Sequence, residues 1–321
     1  MSFFSILLAL ILEQARPLKE NNPVYQAVQA WTAWVARTLD AGVPHLAWVT
    51  WGMATLTPAA LSLLVHALAD LGMGWLAAVL WNVALLYVTL GFRQFSHHFT
   101  AIRDALDEGD EQKARELLAR WQQVQVGEIP RSEIVRHVIE FSVIAAHRHV
   151  FGVFFWYAVL SIFGLGPVGA VVYRLAEYVQ RRWQRDQKQD ASVSAVLVQV
   201  ADRAWRTLDW LPARATALGF AIVGSFEDAM DGWRNHAQKF PQDNDGVILA
   251  ATAGALNVRL GGSGLPANDD MQAHAAATSG SSTPGQPAQP GHLASVVGLV
   301  WRTAIMWLVL VALLTMANLM G

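Results

Sequence analysis

The segment from Glu140 to Tyr173, EFSVIAAHRHVFGVFFWYAVLSIFGLGPVGAVVY, constrains the fold more than any other part of the chain. It is apolar but for His147, Arg148 and His149 in its first half, and Gly164-Leu165-Gly166-Pro167 breaks it about three quarters of the way along. A helix rises about 1.5 Å per residue and a bilayer core is about 30 Å thick, so roughly twenty apolar residues suffice to cross. The stretch is too long for one straight span and is punctuated for a turn, which predicts a helical hairpin dipping into the membrane over 141–173. Ionisable groups at that depth are costly and usually face the protein interior or a wet cavity. Two readings stay open for them: a functional site, or an Arg148 that snorkels to the headgroups beside packed, hydrogen-bonded histidines.

Composition agrees with a membrane. Of the 321 residues 54% are hydrophobic and only 15% charged, and 14 are Trp, a residue enriched at membrane interfaces. Mean hydropathy is +0.30. A net charge of -2 creates no global basic field, which argues against nucleic acid as a partner. The absence of cysteine excludes disulfides, cysteine metal sites and a thiol nucleophile.

Around the hairpin the chain divides by hydropathy. Phe3 to Leu12 is apolar, with no positive residue before it and no small-residue cleavage site after it, so it is expected to be retained and not cleaved as a signal. It is short for a span and is closed by Glu13, Arg16 and Lys19; with the amphipathic stretch bearing Trp31 and Trp34 it makes 1–42 a region of apolar or interfacial helices. Residues 43–92 hold two expected spans, Leu46 to Leu71 and Met73 to Phe92, separated by a glycine turn at Gly72 and Gly74. Pro58 lies inside the first and is tolerable if the carbonyl it frees finds a neighbour. Residues 93–140 form a cytoplasmic helical lobe, in which Phe99, Ile102, Ala105 and Leu106 recur at helical spacing and Asp110 is a candidate N-cap after Gly109. Its arginines and lysine, and those of 174–206, place both flanks of the hairpin on the cytoplasmic side. Residues 174–262 combine a basic lobe, an apolar helix and the AGALNVRLGG stretch. Residues 263–292 are rich in Gly, Ser, Pro, Gln and Ala and are expected to be a disordered linker. Residues 293–321 form a C-terminal span. The expected fold class is therefore all-α: a polytopic integral membrane protein with a membrane helical hairpin and cytoplasmic helical lobes.

No Walker loop, GxSxG, HExxH or GxGxxG motif occurs. His97-His98 and His147-Arg148-His149 are the histidine clusters. Neighbours one or two apart on a helix point to different faces, so neither cluster makes a bidentate metal site, and no metal is expected.

The most specific stretch is Phe240 to Gly262, FPQDNDGVILAATAGALNVRLGG. It resembles the PN-x-G … A-x-AGAL-x-VRLGG signature of the CobD/CbiB family, membrane-bound adenosylcobinamide-phosphate synthases. Leu211-Pro212-Ala213-Arg214 is similar to the family's PAR element, Tyr173-Arg174 to its YRA element, Glu140 with Phe155-Trp156 to its ES … FW element, and Arg93 with His98 to its LR-x-LLEH helix. The resemblance implies an ATP-dependent ligase joining aminopropanol phosphate to adenosylcobyric acid as an amide, with Mg-ATP and a corrinoid as the associated small molecules. The chain departs from the family where acids are expected. Ile144 and Ala145 replace Glu and Asn, Arg148 replaces Asp, Glu177 and Gln180 stand for Asn and Asp, and Trp205 and Arg206 stand for paired Asp.

That loss of acids resembles the AmpE-like branch of the superfamily, and the main expectation is accordingly a non-catalytic regulatory or binding protein of the bacterial inner membrane. In this reading Arg148, Arg174, Arg214 and Arg259 line an anion-binding cavity, with Asn244 and His98 at matching motif positions, no cofactor, and the lipid bilayer and an anionic small ligand as partners. Each arginine has a blander alternative in a snorkel or an ion pair to Glu140, Glu177 or Asp209; Arg174 and Glu177 are one helical step apart. The second reading is a working synthase that uses Glu140, Glu177 and Asp209, with Asp243 and Asp245 as further candidates or as plain turn residues. A third, a transporter, lacks paired broken helices in matching halves. Neither a protein partner nor an oligomeric state is indicated.

Overall fold

The computed structural model describes residues 2–16, 18, 22–122, 127–190, 192–262 and 282–320. Lys19, the side chain of Arg93 and residues 263–281 of the expected linker lie outside the described residues. The fold is all-α, and among the described residues no β-strand forms. The helices are α1 (Ser2–Ala15), α2 (Pro23–Leu39), α3 (Pro44–Met73), α4 (Trp75–Thr89), α5 (Phe92–Asp107), α6 (Glu111–Gln122), α7 (Arg131–Ala146), a π-helical turn (His147–Phe151), α8 (Gly152–Ile162), α9 (Val168–Asp190), α10 (Ala195–Val223), α11 (Phe226–His236), α12 (Asp243–Leu256) and α13 (Pro290–Met320).

Among the described residues three helical stretches are long and apolar enough to cross a membrane: Pro44–Met73, Arg131–Ile162 and Pro290–Ala317. Two boundaries differ from expectation. Gly72 stays inside α3, and the break falls at Gly74, whose φ is 81°. That leaves α4 with 15 residues, and about 22 Å of helix falls short of the hydrocarbon thickness. The first arm of the hairpin starts at Arg131, not after Glu140, because no proline follows Pro130 before Pro167. The turn itself is where the glycines predict it: Leu165 N–H bonds Leu160 C=O at 3.0 Å and Gly164 N–H bonds Ser161 C=O at 3.1 Å, a Schellman ending.

The chain forms two compact units. The first comprises Met1–Phe92, Arg148–Pro212 and Leu308–Gly321. Asn22 caps α2 by accepting from Tyr25 N–H at 2.8 Å. Asp40 at its far end accepts from the backbone N–H and the hydroxyl of Ser194, each at 2.7 Å, while Ser194 Oγ in turn caps α10 at Leu197 N–H. These ties frame a core of Val35, Ala47, Ala54, Val179, Trp183 and Leu197. Proline removes the N–H that would pair with the carbonyl four residues earlier. Both internal prolines of this unit are compensated the same way. Trp31 Nε1 donates to Ala54 C=O at 3.2 Å, opposite Pro58, and Trp156 Nε1 donates to Leu208 C=O at 3.1 Å, opposite Pro212. α8 packs closely on α9: a Cβ on Gly152 would stand 2.1 Å from the Tyr173 hydroxyl, so only glycine lets this tyrosine through. Large apolar side chains remain exposed at helical spacing on α3, among them Leu61, Leu64, Leu68 and Leu71.

The second unit comprises Arg93–His147 and Ala213–Trp307. Phe99, Ile102, Ala105 and Leu106 are buried along α5, as their spacing predicts. Asp110 accepts from Lys113 N–H at 2.9 Å and caps α6. α11 and α12 form the main helix pair, with α12 also against α7. A Cβ on Gly254 would lie 2.0 Å from Asp228 C=O, which explains a glycine inside the AGAL stretch. Part of the expected disordered linker is ordered: Thr283 N–H bonds Leu260 C=O at 2.8 Å and Arg259 N–H bonds Gln286 C=O at 2.8 Å, so residues 282–286 lie along 257–261. Their polar composition hid this, since the pairing is through the backbone.

Candidate functional site

In the second unit the motif residue Glu140 reaches the loop that leaves α12, while Arg214 reaches the helix's first turn. Asp243 and Asp245, read either as candidate acids or as turn residues, occupy the first turn of this helix, where a carboxylate complements the helix dipole. The helix ends in a Schellman motif with Asn257 at φ 50°: Val258 N–H bonds Ala253 C=O at 3.0 Å and Asn257 N–H bonds Gly254 C=O at 3.2 Å. Leu260 N–H then bonds Thr283 Oγ1 at 2.9 Å, and Gly261 N–H bonds Glu140 Oε1 at 2.7 Å. Every amide from Asn257 to Gly261 is thus consumed within the protein. This glycine loop is a latched turn and not a phosphate cradle of the amide-nest kind.

Glu140 is held from the other side by Arg136, whose Nη1 lies 3.0 Å and 3.2 Å from its two oxygens, and by His137 at 3.6 Å. Arg136 also bonds Glu133 through Nε at 3.0 Å. Arg214 Nη1 donates to Asn244 Oδ1 at 3.1 Å, tying α10 to the first turn of α12, and the His147 ring pairs with Thr216 Oγ1 at 2.9 Å. Arg259 is exposed. His98, half-buried, stacks on Trp121 with ring centroids 5.7 Å apart, and Trp121 meets Phe141 edge-on.

In the first unit a second group of charges is buried. Tyr173 passes over Gly152 and donates its hydroxyl to Asp209 Oδ1 at 2.8 Å. Trp205 lies 5.0 Å from the Tyr173 ring, and the Arg148 guanidinium stands 5.9 Å from the Trp205 ring centre, in cation–π range. One turn along α9, Glu177 is 3% exposed and is gripped by Arg174 Nη1 at 2.6 Å and by Arg181. The π-helical turn that carries Arg148 and His149 adds a residue to the helical repeat, a device frequent at functional positions. Farther along α9, burial first and then the Tyr25 hydroxyl push the Tyr178 phenol up to about 12, so it stays neutral.

The four arginines expected to line one cavity divide between the units: Arg148 and Arg174 in the first, Arg214 and Arg259 in the second. Of the candidate acids, Glu177 and Asp209 fall in the first unit and Glu140 in the second. Sequence reasoning missed the role of Arg181 and the Tyr173–Asp209 pair. Arg181 was legible as the residue four beyond Glu177 on one helix; the pair was not, because it joins two helices 36 positions apart. Among the described residues no group of three or more His, Cys, Asp or Glu side chains gathers as a metal would need. Glu140 is taken by Arg136 and an amide, Glu177 by two arginines, and Asp209 by a phenol. Among the described residues these carboxylates do not gather into a protein-built magnesium site.

The family model described as CobD/Cbib protein matches residues 6–300. This chain belongs to the CobD/CbiB family. Its similar curated relatives are cobalamin biosynthesis proteins CobD. That of Chromobacterium violaceum is 34% identical over 187 residues, covering 58% of this chain and 57% of that protein. That of Stutzerimonas stutzeri is 28% identical over 258 residues, covering 80% and 78%. That of Mycobacterium tuberculosis is 46% identical over 67 residues, covering 18% and 21%. The match to the Chromobacterium protein thus spans little more than half of its length. No solved structure matches.

These names correct the expectation of an AmpE-like, non-catalytic regulator, to which nothing in the comparisons points. The expectation rested on acids lost at Ile144, Ala145 and Arg148. It gave too little weight to the acids that the chain does carry, Glu140 on α7, half-buried against Arg136, and Glu177 on α9 and Asp209 on α10, buried against arginines and a tyrosine.

Proposed function

We propose that this CobD/CbiB-family protein acts in cobalamin biosynthesis, forming the amide between aminopropanol phosphate and adenosylcobyric acid with consumption of ATP, at the cytoplasmic face of a bacterial inner membrane. The relatives' names support the pathway. The observation that supports it most within the chain is that residues of the family-motif elements hold one another in place: Trp156 to the carbonyl freed by Pro212, Glu140 to Gly261, and Arg214 to Asn244. Such interlocking keeps side chains in the narrow geometry that a two-substrate condensation requires.

Amide formation removes the carboxyl oxygen and two protons of the ammonium, and both substrates carry negative charge. The residues suited to bind them are arginines, whose planar forks match carboxylate and phosphate. Glu140 holds Arg136 and the loop, Glu177 holds Arg174 and Arg181, and Asp209 holds Tyr173, more than they offer themselves to a metal. The apolar rows of α3 and α13 face lipid in this reading, with multiple passes and the basic segments 103–136 and 174–206 in the cytoplasm.

The test is direct. Purified protein in detergent is supplied with ATP, magnesium, adenosylcobyric acid and aminopropanol phosphate, and product is followed by mass spectrometry. Amide product that disappears when ATP is omitted is the expected result. Folded protein that forms no amide with all substrates at saturation overturns the proposal.

A further inference from the structure

At the tip of the hairpin three elements of the first unit bring unmatched polar groups together. Asn82 on α4 is 7% exposed, and its Oδ1, like the Nδ1 of His66 on α3, is buried and meets no hydrogen-bond partner among the described residues. Both side chains converge on Gly166: a Cβ there would lie 3.3 Å from the His66 ring and 3.4 Å from Asn82 Oδ1. Gly166 is followed by Pro167 and then α9, whose helical bonds begin with Val171 N–H to Pro167 C=O at 3.1 Å. The amides of Gly169 and Ala170, buried in the first turn, therefore have no acceptor within the helix. Trp81 Nε1 holds α4 against α3 at this level by donating to Ser62 C=O at 3.0 Å. Polar groups left unpaired inside apolar helices are costly, and they mark a place where a ligand is held.

The charges along these segments define what fits. No Lys, Arg, Asp or Glu lies between His149 and Arg174, and Asp70 is the one such residue between Leu46 and Phe92. The positive pole is the N-terminus of α9, equivalent to about half an elementary charge. It suits a singly charged phosphodiester, whereas a free phosphate dianion finds no guanidinium or ammonium here. Asp70 is exposed and lies one turn beyond His66 on the same face of α3. Together with Asn82 Oδ1 it offers acceptors to a cationic N–H donor. His66 and Asn82 lie equally far from Gly74, the turn between α3 and α4, about 12 Å of helix on either side. At about 45 Å, α3 outruns a hydrocarbon core of about 30 Å, which puts the pair near the headgroup level at that end of the helix. Ile162 and Phe163 of the tip are exposed and apolar, as a surface beside acyl chains requires.

We propose that the hairpin tip, with His66, Asp70 and Asn82, is a binding site for the zwitterionic headgroup of phosphatidylethanolamine. The phosphodiester accepts from the Gly169 and Ala170 amides and from a ring N–H of His66, and the primary ammonium donates to Asn82 Oδ1 and Asp70. The site is independent of the amide chemistry proposed above.

Native mass spectrometry of the full chain in detergent, titrated with phosphatidylethanolamine, tests the site. One tightly retained lipid per chain is expected. Phosphatidylcholine, which has the same charges but no N–H donor, and diacylglycerol, which has no phosphate, should each bind roughly tenfold more weakly or worse. N82L and D70N should each weaken phosphatidylethanolamine by a similar factor, and D70N should narrow its advantage over phosphatidylcholine. S62A, whose hydroxyl bonds Ala59 C=O within its own helix, should leave binding unchanged. Equal affinity for the two phospholipids overturns the proposal, as does unchanged lipid binding in either folded variant. Inorganic phosphate that binds the natural protein and not N82L, with no dependence of lipid binding on Asn82, assigns the tip to a soluble anion and also overturns it. A melting temperature raised in N82L with lipid binding intact would mark Asn82 as an unpaired core residue, with the same consequence. D70N alters an exposed position and decides the matter if N82L does not fold.

Discussion

Trp156 donates its indole N–H to the carbonyl of Leu208 at 3.1 Å, the acceptor that Pro212 deprives of its helical partner. The same arrangement recurs at Trp31, Ala54 and Pro58. Both prolines are thus tolerated inside long helices because a tryptophan from a neighbouring helix replaces the missing donor. The pairing also supplies a physical reason why an FW element and a PAR element occur together in one chain. Trp156→Phe should keep most of the packing but orphan the carbonyl, at a cost of about 1–3 kcal/mol. Pro212→Ala in that background restores an N–H and should recover part of the loss. Thermal unfolding of the double-mutant cycle in detergent checks this; strict additivity would refute the link.

Glu140 connects Arg136 to the amide of Gly261, across 121 positions of sequence. Glu140→Gln keeps an acceptor for Gly261 and loses the ion pair; Glu140→Ala loses both and leaves the Arg136 charge under-paired. Hydrogen exchange at residues 257–261 should rise modestly in the first and strongly in the second. Equal protection in all three proteins would separate the loop from this carboxylate.

Gly152 leaves room for the Tyr173 ring, whose hydroxyl would stand 2.1 Å from an added Cβ. Gly152→Ala should therefore destabilise by about 1–3 kcal/mol through overpacking. Because the displaced tyrosine releases Asp209, the fluorescence of Trp205, 5.0 Å from the Tyr173 ring, should shift in the folded variant. An unshifted spectrum with unchanged melting would show that α8 and α9 yield without strain.

Asp40 joins the end of α2 to the start of α10 through two 2.7 Å bonds to Ser194. Asp40→Asn retains one acceptor and should cost less than Asp40→Ala, for which about 1–2 kcal/mol is expected from a lost cap and a charge-assisted bond. Melting temperatures of the two variants decide the order.

Burial holds the Tyr178 phenol near 12, above the value of about 10 usual for an unfolded chain. The folded state therefore binds this proton more tightly than the unfolded state does. The resulting stability is fully present below about pH 10 and is lost as pH rises towards 12. Melting temperature should fall more steeply over that window in the natural protein than in Tyr178→Phe; parallel curves would place the phenol in water.

Much of this was legible in the chain because it is local. Asp110 caps α6, Phe99, Ile102, Ala105 and Leu106 share a buried face, and Gly164 ends α8, since each follows from residues three to five positions apart. The apolar length of α3 and α13 and the AGALNVRLGG stretch likewise identified an all-α membrane protein of the CobD/CbiB family from sequence. Tertiary structure decided what depends on partners distant along the chain: which indole serves which proline, that Glu140 latches Gly261, that residues 282–286 pair with 257–261, and that Arg148 and Arg174 belong with Glu177 and Asp209 while Arg214 belongs with Asn244. Hydrogen bonds and ion pairs act over about 3 Å, and only folding brings such groups within that range.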